Sequence, residues 1–124
     1  MKEVFMGYEG GLNMNKENFE FLRTTNGIER KYEYKLTKCL IGNDEVFGIE
    51  VQRIDYKADL IIDSFKDSVE LISPIKDKVI NLLKMLYENQ VSPIHLIDII
   101  GPFVDEYVND FKDIKSEDLS AMRA

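Results

Sequence analysis

Two helix starts written in the same three letters, Ser73-Pro74-Ile75 and Ser92-Pro93-Ile94, constrain this chain more than any other feature in it. Serine at an N-cap accepts a hydrogen bond from an orphan N–H, and proline at the first helical position loses nothing by lacking one. Only Glu88-Asn89-Gln90-Val91 joins the two segments, so the helices are expected to be antiparallel or steeply crossed neighbours. The first carries Ile75, Val79, Leu82, Leu83 and Leu86 along one side, widened by Ile80 and Tyr87. Such a pair needs a surface to lie on.

The residues upstream supply one. Phe19 and Phe21 alternate with Glu20, and Asn26-Gly27 then interrupts before a long run from Ile28 to Ile41. Asn-Gly between two such runs is the strongest short hairpin signal, because both central residues of a type I′ turn need positive φ. In the second run Tyr32, Tyr34, Leu36 and Leu40 share one face, with Glu33, Lys35 and Thr37 on the other. Gly42-Asn43-Asp44-Glu45 marks a second turn. A third strand, Val46 to Tyr56, changes apolar phase near Gln52-Arg53, which predicts a bulge there. A weaker run, Leu60 to Ile72, places Ile61, Phe65, Val69 and Leu71 in one register. The expected fold class is α+β: an antiparallel β-meander of three to four strands, followed by two C-terminal α-helices packed on one face. Residues 1–16 are expected to be a flexible N-terminal arm, 17–111 a single α+β domain, and 112–124 a frayed C-terminal tail.

The second helix, Pro93 to about Phe111, has Gly101-Pro102 in its middle, and proline there removes a bond to the carbonyl of Asp98. The apolar phase holds across that point, so a kink is expected rather than two helices. Its apolar residues span about half the circumference, whereas a helix on one sheet needs a stripe of little over 100°. A stripe that wide meets two surfaces. Either both are internal, or Ile97, Val104 and Val108 form an exposed ridge that docks a second copy or another protein.

Charge narrows the partners. The net charge is −7, and residues 58–124 hold thirteen acidic against seven basic side chains. Phosphate backbones are held by a basic surface, so nucleic acid is not expected as the main partner. Arg30, Lys31, Lys35, Lys38 and Arg53 make a local basic stripe, but Glu29, Glu33 and Glu50 interrupt it. No apolar run approaches a membrane span, and the start lacks the apolar stretch of a signal peptide. One cysteine, Cys39, excludes an internal disulfide and fits a reducing cytoplasm, the expected location.

Chemistry-bearing residues are sparse. The single histidine, His95, falls near Asp98 in the first turn of the second helix, where the dipole disfavours imidazolium. Together they are the best polar pair in the chain, yet catalytic zinc needs three protein ligands. Asp105, Glu106, Asp110 and Asp113 lack the glycine and alternation of a calcium loop, and no glycine-rich loop ends in Lys-Ser/Thr. Neither catalytic residues, a metal site nor a cofactor is expected.

Tyr34-Lys35-Leu36, Phe47-Gly48-Ile49-Glu50, Ile72-Ser73-Pro74 and Asn89-Gln90-Val91-Ser92-Pro93-Ile94-His95-Leu96 resemble motifs of a family of small proteins from clostridia and related spore-forming bacteria. That family is known as a domain of unknown function. The resemblance covers the stretch from Tyr32 to Asp110, and it implies a bacterial cytoplasmic protein with no catalytic residues to carry over. A non-enzymatic protein-binding module fits these observations best, with a protein or a second copy as partner. A small-molecule or metal-ion sensor, with a pocket between helix pair and sheet, is the alternative.

Overall fold

Asn26 and Gly27 turn the chain with φ of 52° and 77°, the pair of positive values that a two-residue hairpin demands. The computed structural model describes residues 17–112. Within them, four strands follow one another as β1 (Asn18–Thr25), β2 (Ile28–Ile41), β3 (Asp44–Lys57) and β4 (Leu60–Ser73). Every strand pairs antiparallel with the next, giving the sheet order β1-β2-β3-β4. Then come α1 (Lys76–Glu88), a 3-10 turn (Pro93–His95), α2 (Leu96–Glu106) and a second 3-10 turn (Tyr107–Phe111). The expected meander and helix pair are therefore present. The arm over residues 1–16 lies outside the described residues, as does the tail except for Lys112.

One face of the sheet carries the helices. Phe21, Tyr32, Tyr34, Ile49 and Val51 meet Val79, Leu82, Leu83 and Leu86 of α1 and Leu96 and Ile100 of α2, all buried. The other face is polar over much of its extent, as an antiparallel sheet with one wet side should be. Lys31 there lies between Glu20 and Glu33, at 3.5 and 3.2 Å. A smaller cluster at alternate strand positions joins Ile41 and Val46 to Phe111.

Three local expectations are corrected. The β2–β3 register runs unbroken through Gln52 and Arg53; the irregularities lie between β3 and β4, at Phe47/Ile49 and at Asp55/Tyr56. They shift the phase of β4 at both ends, so Ile72 joins the main core while Leu71 packs on the smaller cluster. Ser73 is not the cap of α1, because its pairing with Phe47 holds it in the sheet and the helix begins at Lys76 behind Ile75, which makes no side-chain cap. A missing cap costs about 1 kcal/mol, against about 1.5–3 kcal/mol for each of four buried side chains on the helix. Packing decides. The single helix expected from Pro93 to about Phe111 is three pieces, with 3-10 turns before and after an α-helix that runs unbroken through Pro102, as the continuous apolar phase implied.

Two braces hold the helices to the sheet. The Tyr34 hydroxyl donates to the Val91 carbonyl at 2.8 Å, and burial pushes its phenol well above the usual range. Arg23 lies over the rings of Phe21 and Tyr32 and donates to Gln90 in the loop after α1.

Candidate interaction surface

β4 is an outer strand, and its first seven residues, Leu60 to Lys66, are all exposed. Four of them are large and apolar: Leu60 (69% exposed), Ile61 (64%), Ile62 (50%) and Phe65 (42%). The run is reached through Ala58 and Asp59, which turn the chain at φ of 51° and 66°. Neither is a residue type that such a turn favours most. Ile62 is the extra residue where Asp55 faces Asp63 and Tyr56 faces Ile61. Leu60 and Ile61, on opposite sides of the strand, are thus followed by a step in phase before Phe65.

The edge carries its own protection. The Asp63 carboxylate accepts the N–H of Ser64, and the Asp67 carboxylate that of Ser68, each at 2.9 Å. An N–H aimed at its neighbour's side chain is not paired with β3, so these are outward donors held by the strand itself. Charged residues on an edge discourage indiscriminate strand pairing.

α2 packs beside this strand. Its central stripe, Leu96 and Ile100, is buried, and Val104 and Tyr107 pack partly buried against the core. The flanks are open, with Ile97 55%, Ile99 39% and Phe103 36% exposed, together with Ile94 (58%) before the helix and Val108 (51%) after it. Of the three residues expected to form a ridge, Ile97 and Val108 lie exposed, whereas Val104 rests on the core. Ile94, Ile99 and Phe103 were not distinguishable from core positions by periodicity. Nor was the exposed half of β4, because alternation alone does not tell a covered strand from an overhanging one.

His95 and Asp98 are both exposed. Among the described residues no group of three or more His, Cys, Asp or Glu side chains could hold a metal ion. Cys39 is half-buried, and burial, with Glu70 nearby, pushes its thiol up, away from the reactive range. The basic stripe is dissolved into ion pairs. Arg30 and Arg53 flank the buried Asp55 at 3.6 and 3.2 Å, Lys31 and Lys35 meet Glu33, and Lys38 meets Glu45. An open cleft of about 640 Å³ lies beside the β2–β3 turn, but Asp44, Glu45 and Asp110 line it with like charge. Asp110 is engaged there by Lys78 at 2.9 Å and by the Ser73 hydroxyl at 2.8 Å.

A family model described as a family of unknown function, DUF6514, matches residues 14–106, reaching further toward the N-terminus than the resemblance that began at Tyr32. No curated protein and no solved structure matches the chain. No helix among the described residues is long and apolar enough to cross a membrane.

Proposed function

The chain belongs to the DUF6514 family of unknown function, and we propose that it is a protein-binding module without catalytic activity, docking its partner along β4 and the exposed flanks of α2. The observation that carries this reading is an outer strand with four large apolar side chains between 42% and 69% exposed. Scattered apolar residues are ordinary on a surface, but a contiguous run on a strand edge favours association. Between helix pair and sheet Tyr34, Ile49, Leu83 and Leu86 are all fully buried, which favours a packed core there over a small-molecule site. The reading takes the module to be a cytoplasmic protein of clostridia or related bacteria, as the motif resemblance and the lone cysteine support.

Affinity capture from an extract of the source cells tests it, with wild type, Ile61→Lys/Ile97→Lys and Leu40→Lys as baits. Leu40 is 59% exposed but lies on β2, away from the surface in question. A partner retained by wild type and by Leu40→Lys, and lost from the double variant, is the expected result. Equal retention by all three would overturn the reading.

A further inference from the structure

We infer that the segment docking on β4 is an extended, lysine- or arginine-rich stretch of another protein, pairing with the outer edge as a fifth strand. This rests on the docking reading above and adds the chemistry of the partner.

Charge is the first ground. β4 and residues 93–111 carry six carboxylates in addition to the engaged Asp110, namely Asp63, Asp67, Glu70, Asp98, Asp105 and Glu106, against one lysine, Lys66. Five of the six are exposed and Asp67 is half-buried. Arg53 reaches Asp63 at 3.5 Å; Asp67 has no cation among the described residues. A second copy of this chain would set these carboxylates against themselves, because a two-fold interface opposes a patch to its own image. An apolar strand interspersed with lysine or arginine complements both the isoleucines and the charge.

The edge itself is the second ground. A fifth strand needs the outward N–H groups of β4, and two of these are held by Asp63 and Asp67. A neutral strand must displace those carboxylates without replacing their partners. A basic one draws them onto its own side chains and so releases the N–H of Ser64 and Ser68. The aspartates then act as a selector, closed to neutral strands and open to cationic ones.

The test is a titration of the isotopically labelled full-length protein followed through its backbone amide NMR signals. The probes are three synthetic octapeptides in which valine alternates with lysine, with threonine or with glutamate. The lysine peptide is expected to move the amides of Ser64, Lys66 and Ser68 saturably, at least tenfold more tightly than the threonine peptide. The glutamate peptide is expected to move none of them. Asp63→Asn/Asp67→Asn should weaken lysine-peptide binding at least tenfold. Glu29→Gln/Glu88→Gln, an equal charge change off β4 and α2, should alter it less than twofold. Threonine and lysine peptides binding β4 equally would overturn the charge selection and leave the docking reading standing. Loss of lysine-peptide binding in both double variants alike would overturn it as well. If no peptide moves any amide of β4 or α2, the docking reading falls with it. Concentration-dependent shifts of these amides without peptide would identify a second copy as occupant and overturn the inference.

Discussion

Gly48 and Asp110 show how single positions fix the junction of sheet and helices. A Cβ at Gly48 would lie 2.3 Å from the Val69 carbonyl and 2.5 Å from that of Glu70. Both are backbone atoms of the irregular part of β4, which cannot yield as a side chain would. Gly48→Ala is therefore expected to destabilise the fold by at least about 2 kcal/mol, read as a shift in the urea midpoint. Asp110 is held below the usual carboxylate range by the hydrogen bond from Lys78, opposed by burial and helped by the Ser73 hydroxyl. A depressed folded pKa means that the unfolded chain takes up the proton first as pH falls. The contribution is thus fully present above the ordinary aspartate value of about 3.9 and lost as pH drops through the lower folded value. Asp110→Asn should lower the melting temperature at pH 6, and the gap from wild type should close progressively below pH ~4. A gap that stays constant to pH ~2.5 would mean the carboxylate is not the source.

At the scale of elements, legibility followed the strength of local signals. Asn26-Gly27 announced its turn because its residue types accept positive φ at small cost. Ala58-Asp59 makes a turn of the same sign without that signature, and so β4 read as a weak, separate run. Ser92 caps as expected, accepting the N–H of Ile94 at 3.4 Å. Ser73, with the same Ser-Pro-Ile context, accepts the N–H of Ile75 at 3.0 Å, yet strand pairing with Phe47 keeps it in the sheet and the helix starts only at Lys76. Local propensity cannot register a tertiary competitor. The exposed surface was half legible for the same reason: the wide stripe on α2 showed that a second surface was wanted, but only the packing shows which flank was left over. The Ala58-Asp59 turn also makes a prediction. A non-glycine residue in the left-handed region costs about 1–2 kcal/mol, so Ala58→Asn/Asp59→Gly should raise stability by about 1 kcal/mol, measured by denaturation. An unchanged midpoint would show that the turn carries no such strain.

On the scale of the whole molecule, the two faces of the sheet divide the labour: one holds the helices, the other is largely wet apart from the Ile41/Val46 cluster under Phe111, and β4 leaves one edge open. Because the exposed strand and helix are acidic together, like-charge repulsion should keep copies apart. Light scattering is expected to give 14.4 kDa, independent of protein concentration at moderate salt, and a stable dimer under those conditions would contradict the charge argument. The topology has a further consequence for how the chain comes into being. Since every strand pairs with its immediate successor, loop closure is short and the sheet can assemble in the order in which the ribosome delivers it. It is complete once Ser73 emerges, yet the residues that cover its apolar positions on the two faces run from Val79 to Phe111. Between those two moments Tyr34, Ile49 and Val51 stand open to the cell. The interval in which translation carries the chain from Ser73 to Phe111 is therefore when the newborn protein is most vulnerable to aggregation.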